Sequence, residues 1–155
     1  MNYSKDEKIL KKILKAIINS TAGLKHAIII DDTGITILSE SKFRISDDGI
    51  SVEKIGAIGG AVFVAGEEQG QILGYGKIRV QITEYEEGMI FSVKTGRGIL
   101  CVAADNNVQI GFVRAILKKW APKIAMVLER HLKSDQEVIN KELKELFNSD
   151  TISLL

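Results

Sequence analysis

The feature that most restricts the fold is a succession of strand-like segments over residues 73–107. Apolar residues occupy every second position over residues 77–84 and again over residues 89–94, which is the period of a strand with one buried face. Residues 99–104 are almost entirely apolar, as expected for a central strand covered on both faces. Turn sequences that contain glycine separate the segments, so three antiparallel strands are predicted. Such a meander is only marginally stable alone and requires helices to cover it.

Helical stripes and a further hairpin surround this meander in the sequence. Isoleucine and leucine recur at helical spacing over residues 9–18, and two short apolar strands flank the turn at residues 31–34. Ser51 can cap a second, glycine-rich helix over residues 52–69, and a third apolar stripe follows Asn107. The order of these elements predicts an α+β domain layered around one antiparallel sheet.

The glycines inside the second predicted helix need an explanation. Gly56, Gly59, Gly60 and Gly66 each cost about 1 kcal/mol relative to alanine in a helix interior. Close approach of another backbone would offset this cost. The helix could pack tightly onto the sheet of its own domain or against a helix of a second subunit, and the sequence favours neither arrangement.

Two features of the C-terminal third predict interruptions of the last stripe. Pro122 has no amide hydrogen, so a kink or break is expected near Trp120 and Ala121. Ser134 and Glu137 form a capping-box pattern, which predicts the start of a separate last helix. We therefore expect a domain over residues 1–133 and a C-terminal helical extension over residues 134–155.

Composition narrows the class of protein. A chain of 155 residues with 45% hydrophobic and 26% charged residues is typical of one globular domain. A single cysteine excludes an internal disulfide framework, and no apolar run approaches the roughly 20 residues of a membrane span. The charged N-terminal sequence does not resemble a signal peptide, so we expect a cytoplasmic location.

A series of motifs, taken in this order and spacing, resembles the roadblock / dynein light chain family. The resemblance covers residues 24–132. The motifs are Ile30-Asp31-Asp32-Thr33-Gly34 in the first hairpin, Leu73-Gly74-Tyr75-Gly76 before the third strand, Glu87-Gly88-Met89-Ile90-Phe91 in the second hairpin, Ile99-Leu100-Cys101-Val102 in the fifth strand and Gly111-Phe112-Val113-Arg114 in the last family helix.

This resemblance implies both an architecture and a function. It implies a three-layer α/β/α sandwich around one five-stranded antiparallel sheet, with the glycine-rich helix alone on one face. It also implies a homodimer in which the edge strand over residues 77–85 pairs with its copy, since an exposed strand edge carries unpaired amides and carbonyls. Members of the family are not catalytic; they bind small Ras-like GTPases as regulators or scaffolds, or belong to dynein-type motors. We therefore expect a non-catalytic GTPase adaptor or regulator without cofactor, metal or nucleic acid.

Two surfaces are candidates for contacts. The predicted dimer or partner interface combines the glycine-rich helix with the edge strand and consists of Ile55, Ile58, Gly59, Val62, Lys77, Arg79, Gln81 and Thr83. A possible basic docking face for an acidic protein, nucleic acid or anionic lipid combines the first and third helices and consists of Lys8, Lys12, Lys15, Arg114, Lys118 and Lys123. A solvated face that binds nothing is the simpler interpretation of these charges.

Two other functions remain as alternatives. A ligand-sensing module of the profilin-like or GAF-like type would need an enclosed pocket with converging polar groups. An enzyme would use Cys101 or a histidine, but a cysteine in a central strand is usually a buried thiol. Neither His26 nor His131 has a second metal ligand at i+3 or i+4. No glycine-rich segment forms a Walker motif, so we expect that the chain is not itself the GTPase.

Overall fold

The computed structural model describes residues 2–42 and 51–148. Within these residues the strands form one antiparallel sheet in the order β2-β1-β5-β4-β3. The predicted α+β class and order of elements are confirmed. The elements are α1 (Asn2–Ile18), β1 (Leu24–Asp31), β2 (Thr36–Ser41), α2 (Val52–Leu73), β3 (Gln81–Tyr85), β4 (Gly88–Thr95), β5 (Gly98–Ala104) and α3 (Ile110–Phe147).

Two hydrophobic cores lie on opposite faces of the sheet. Strand β1 contributes to both, because Ala27 and Ile29 face the larger core beneath α1 and α3 whereas Ile28 and Ile30 face the smaller core beneath α2. Phe63 anchors α2 and is fully buried; burial of such a side chain contributes about 1.5–3 kcal/mol. The three-layer arrangement that the resemblance implied is therefore confirmed.

Helices α1 and α3 pack side by side on the face opposite α2. Helix α1 covers β1 and β2, and α3 covers β4 and β5. Asp6 of α1 is buried, and its Oδ1 accepts hydrogen bonds from Arg130 of α3, with distances of 2.8 Å to Nε and 2.6 Å to a terminal guanidinium nitrogen. This hydrogen bond and the charge of Asp6 raise the pKa of Arg130. The two helices are therefore joined by a charge-assisted contact as well as by apolar packing.

Helix α3 differs from its prediction. It continues without interruption from Ile110 through Pro122 to Phe147, so the predicted separate helix after Ser134 is wrong, and of the kink or break predicted near Trp120 and Ala121 the break is not found. Pro122 removes one backbone hydrogen bond, but Leu117 and Ile124 are buried on either side and hold the helix on the sheet. From residue 133 to residue 148 none of the described residues is buried. Residues 149–155 of the predicted extension lie outside the described residues.

The edge strand β3 is shorter than predicted and its start is irregular. Ile78 packs into the core beneath α2, whereas Val80 and Ile82 pack into the core beneath α1 and α3. The predicted strand over residues 77–85 therefore does not alternate along its full length. The amide of Ile78 donates to a carboxylate oxygen of Glu67 at 3.1 Å, which fastens this irregular segment to α2. The position of β3 at the edge of the sheet agrees with the prediction.

Candidate functional site

A groove lies beside α2 because this helix crosses the sheet at an angle. Gly56, near its start, lies against Thr36 of β2, whereas Gly66 lies against Gln81 of β3. Helix α2 packs mainly on β1, β2 and β5, so part of β3 and β4 stays uncovered on this face. The resulting groove has a volume of about 240 Å³. Its lining consists of Ile55, Ile58, Gly59, Val62, Gln81, Thr83, Tyr85, Ile90, Ser92 and Cys101.

The groove contains most residues of the interface predicted from the sequence. Ile55, Ile58, Gly59 and Val62 from α2 meet Gln81 and Thr83 from β3 along its walls. Lys77 and Arg79 do not line it. Lys77 lies beside the second half of α2, and Arg79 lies on the opposite face of the sheet, beside α3. The irregular backbone before Gln81 explains this division, since strict alternation would have kept both residues on the α2 face.

Gly59 shows why glycine is needed in α2. A Cβ atom at this position would lie 3.0 Å from the sulfur of Cys101 in the central strand β5. Of the two explanations that the sequence left open, the described structure therefore supports close packing of α2 on its own sheet. This close approach also brings Cys101 to the bottom of the groove.

Large apolar side chains on this side of the molecule remain exposed. Ile58 and Val62 of α2 are 56% and 48% exposed, and Tyr85 at the end of β3 is 57% exposed. At the C-terminal end of α2, Ile72 and Tyr75 are 85% and 80% exposed. Tyr85 ends the predicted edge strand but was not among the predicted interface residues, and sequence reasoning missed Ile72 and Tyr75. The sequence Leu73-Gly74-Tyr75-Gly76 could have indicated the last of these, because its two glycines are typical of a turn and turns lie on the surface.

The outer edge of β3 provides the polar part of the same surface. Within the described residues β3 pairs only with β4, from Gln81 opposite Ser92 to Tyr85 opposite Gly88. Thr83, Glu84 and Tyr85 of this strand are exposed. Alternate amides and carbonyls of this strand therefore point away from the sheet without a strand partner, directly beside the apolar groove.

Chemical groups near the groove do not resemble a catalytic site. The sulfur of Cys101 lies 3.2 Å from the hydroxyl of Ser92. Burial raises the pKa of Cys101, and the hydrogen bond with Ser92 only partly opposes this effect. The thiol therefore stays protonated and is a poor nucleophile. Within residues 2–42 and 51–148 no three His, Cys, Asp or Glu side chains are placed to hold a metal ion.

The hydrogen bond of this thiol is with Ser92 and not with a histidine. The Nδ1 atom of His26 on β1 lies 2.8 Å from the hydroxyl of Ser41 on β2. Burial, and then the charge of Lys25, lower the pKa of His26. His131 is buried in α3. The structure therefore does not bring either histidine and Cys101 together into one reactive group.

A second groove lies on the opposite face of the sheet, between α3 and strands β3 and β4. It has a volume of about 780 Å³ and is lined by Arg79, Lys94, Arg114 and Lys118 above an apolar floor, and Lys94 also borders the site beside the second half of α2. No acidic residue belongs to this lining, and among the described residues none of the four cations forms an ion pair. We call this site the basic groove.

The residues of the predicted basic docking face are divided between separate places. Arg114 and Lys118 line the basic groove, on the flank of α3 that faces away from α1. The amine of Lys123 lies 4.9 Å from the centre of the Trp120 ring. The three lysines of α1, which are Lys8, Lys12 and Lys15, are exposed. A docking role for this set stays a prediction.

Comparison with known proteins identifies relatives in an archaeon. The proteins MJ0310 and MJ1340 of Methanocaldococcus jannaschii, both described as uncharacterized, are each 31% identical to this chain over 107 residues, which is 69% of this chain and 90% of theirs. MJ0714 of the same organism, also uncharacterized, is 29% identical over 118 residues, 76% of this chain and 95% of its own length. No family model matches the chain.

Solved structures define the class of fold. The gliding protein MglB from Thermus thermophilus superimposes with a TM-score of 0.69 at 15% identity, covering 83% of this chain and 92% of MglB. A roadblock/LC7 domain from Streptomyces avermitilis superimposes with a TM-score of 0.67 at 13% identity, covering 76% and 96%. Profilin II from Acanthamoeba castellanii is less similar, with a TM-score of 0.53 at 17% identity over 74% and 94%.

These similarities define the class and then the family. A five-stranded sheet with α1 and α3 on one face and α2 on the other, together with the similar solved structures, is the roadblock/LC7 fold, as the resemblance implied. By its sequence similarity to MJ0310 and MJ1340, the chain belongs to the same family as these archaeal proteins. In the part of the chain that the structure describes, no helix is both long and apolar enough to cross a membrane.

Proposed function

We propose that this protein is a homodimeric, non-catalytic adaptor or regulator that binds a small Ras-like GTPase in the cytoplasm. The observation that carries the proposal is the combination of an unpaired strand edge with an adjacent apolar groove on one side of a roadblock/LC7 fold. The family resemblance supplies the class of partner. The domain over residues 1–133 would form the dimer, and the exposed end of α3 would stay available for further contacts.

Self-pairing of β3 would provide hydrogen-bond partners for the outward-pointing amides and carbonyls of this edge strand. Two copies of the strand Gln81–Tyr85 related by a two-fold axis pair in antiparallel orientation and extend the sheet across both subunits. The same axis would bring the exposed Ile58, Val62 and Tyr85 of both subunits close to the subunit boundary. Exposed apolar side chains next to a free strand edge are the usual composition of an interface core.

A GTPase would bind the surface that α2 and β3 of the dimer form together. This binding would shift the equilibrium between the conformations of the GTPase. The described structure brings no activated nucleophile or metal cluster near the groove. A regulatory effect would therefore arise from differential affinity for the two nucleotide states of the partner. The parts of Ile58 and Val62 that stay exposed beside the paired β3 strands, together with the side chains of β3 on the α2 face, are our candidates for the contact.

The ligand-sensing alternative receives less support. Pockets for small molecules usually have volumes of roughly 300–1,000 Å³ and enclose most of the ligand. The groove beside α2 has only about 240 Å³. Two of its apolar walls, Ile58 and Val62, are about half exposed, so it is an open surface site. The basic groove, at about 780 Å³, falls within this range of volumes, but four of its eleven lining residues are cations, whereas ligand pockets are lined mainly by apolar side chains.

A matched pair of substitutions on α2 tests the dimer. Val62 lines the groove, whereas Val64 lies on the other side of α2, and the two side chains are almost equally exposed at 48% and 47%. Val62→Lys should weaken dimerisation by about tenfold or more, since a buried charge is costly at an interface. Val64→Lys should leave the mass in solution unchanged. A wild-type mass equal to one chain at high concentration would reject the dimer.

The choice of GTPase requires a separate experiment. Small Ras-like GTPases from the source organism would be loaded with GDP or with a non-hydrolysable GTP analogue and tested for binding to the purified protein. We expect one of them to bind with at least about fivefold preference for one nucleotide state. Val62→Lys should reduce this binding more than Val64→Lys does. Absence of binding to every GTPase in both states, by a correctly folded dimer, would contradict the proposal.

A further inference from the structure

The edge strand carries opposite charges at its two ends. Lys77 and Arg79 precede β3, whereas Glu84 lies within it and Glu86 and Glu87 form the turn that leads to β4. All five side chains are exposed. Among the described residues none of them forms an ion pair. These charges are therefore available for a partner.

The positive end of this strand continues into the basic groove. Arg79 lines the groove together with Lys94, Arg114 and Lys118. Four cations without a carboxylate in the same lining produce a positive local potential, which favours binding of acidic side chains. The volume of about 780 Å³ leaves room for several of them.

Antiparallel self-pairing brings the two opposite ends together. If the pair is centred on Thr83, Arg79 lies opposite the partner's Glu87. If it is centred on Ile82, Val80 lies opposite the partner's Glu84. Paired strands lie about 4.8 Å apart, so in either register the carboxylates at the acidic end of one subunit lie within reach of the cations at the basic end of the other.

The acidic end also lies on the correct face of the sheet. Val80 and Ile82 both pack toward α1 and α3. Because side chains alternate along β3, Glu84 is placed on this same face, where the basic groove opens. The partner's Glu84 would then meet the groove from the side of the subunit boundary, and the two-residue turn with Glu86 and Glu87 would follow it.

We propose that each subunit inserts its acidic turn, formed by Glu84, Glu86 and Glu87, beside the basic groove of the other subunit. This pair of contacts rests on the proposed dimer and fixes its antiparallel orientation. A parallel pairing would bring the acidic ends together and the basic ends together, which like-charge repulsion disfavours. The basic groove is thus a receptor for a second copy of the chain.

Complementary charge reversals test the proposal. The acidic-turn variant carries Glu84→Arg, Glu86→Arg and Glu87→Arg, and the groove variant carries Arg79→Glu, Lys94→Glu and Lys118→Glu. Each variant alone should dimerise about tenfold to a hundredfold more weakly than wild type at low salt. An equimolar mixture should form heterodimers of nearly wild-type affinity, since both contacts become attractive again. Sedimentation and native mass spectrometry measure these affinities and masses.

A matched control removes the effect of net charge. Lys8→Glu, Lys12→Glu and Lys15→Glu change the charge by the same amount as the groove variant does, but on the exposed face of α1. This control should dimerise like wild type. Raising the salt concentration from about 0.05 M to about 0.5 M should weaken the wild-type dimer by about tenfold, because exposed charge contacts are screened.

The outcomes separate this proposal from the proposed function. A wild-type dimer whose affinity ignores salt, with charge-reversed variants that dimerise equally well, would overturn the charge contact and leave the adaptor proposal intact. A mixture that forms no heterodimer, although both variants are folded by circular dichroism, would also overturn it. A wild-type chain that stays monomeric would overturn both proposals.

Discussion

The substitution Gly59→Ala measures how closely α2 lies on the sheet. The added Cβ would lie 3.0 Å from the sulfur of Cys101, which is closer than the separation of about 3.5–4.0 Å at which carbon atoms attract most strongly. Cys101 is 3% exposed in a central strand, so the sulfur has little room to move. Alanine gains about 1 kcal/mol in helix propensity, but overpacking costs about 1–3 kcal/mol. We expect the free energy of unfolding to fall by about 1 kcal/mol.

When the sulfur is absent, the same substitution should raise the free energy of unfolding instead of lowering it. In the Cys101→Ala background the nearest remaining atom that the new methyl group would meet is Cδ1 of Ile30, at 3.9 Å, which is an ordinary contact. Gly59→Ala then retains its helix propensity without the clash and should stabilise by about 0.5–1 kcal/mol. The coupling between the two sites should therefore be about 1.5–2 kcal/mol.

Urea unfolding of the four proteins measures this coupling. The series should be repeated at two protein concentrations, because dimerisation would add to the apparent stability. Gly111→Ala is the control, since its Cβ would meet nothing within 4 Å and should show no coupling to Cys101. If Gly59→Ala stabilised the protein equally in both backgrounds, α2 would not lie this close to β5, and the glycines would need a subunit contact to explain them.

Three further predictions concern titration, reactivity and a buried charge. Because the pKa of His26 is lowered in the folded chain, the unfolded chain binds a proton at this residue more readily. The free energy of unfolding should therefore fall as the pH drops below about 6.5. Urea titrations at several pH values should show a smaller fall for His26→Gln than for wild type. The buried thiol of Cys101 should react at least about a hundredfold more slowly with a thiol reagent in the native state than in urea, and equal rates would contradict its burial. Arg130→Met leaves the buried carboxylate of Asp6 without its partner and should lower the thermal midpoint by several degrees; adding Asp6→Asn should restore part of the loss.

The fold could be predicted where the pattern of apolar residues has one period. Strand β4 and helix α2 appear close to their predicted positions because each buries one regular face, and β5 does so because its continuous apolar run is buried on both faces. Ser51 caps α2 as predicted, since its hydroxyl accepts a hydrogen bond from the amide of Lys54 at 3.1 Å. Most of the apolar groove was also predictable, because helical spacing places Ile55, Ile58 and Val62 on neighbouring sides of α2.

Errors arose where tertiary contacts overrule local pattern. The sequence around Ile78 alternates like a strand. In the structure, the hydrogen bond from its amide to Glu67 and its burial beneath α2 make the backbone irregular, so Arg79 lies on the other face of the sheet. Helix α3 passes through Pro122 because packing on the sheet outweighs one lost hydrogen bond. The basic groove could not be predicted, since its cations come from three separate elements whose meeting depends on the irregular start of β3.

The two grooves lie on opposite faces of the sheet. Their roles can therefore be distinguished by measuring how salt changes dimerisation and GTPase binding. The groove beside α2 has apolar walls such as Ile58, whereas the basic groove depends on charges such as Arg79. The affinity of a GTPase that contacts α2 should therefore depend on salt mainly because salt changes the fraction of the protein that is dimeric. When the protein concentration greatly exceeds the dimer dissociation constant, GTPase binding should vary less than about twofold between low and high salt. Well below that constant, binding should weaken in parallel with the dimer. Strong salt dependence at saturating dimer concentrations would mean instead that the GTPase itself occupies the basic groove.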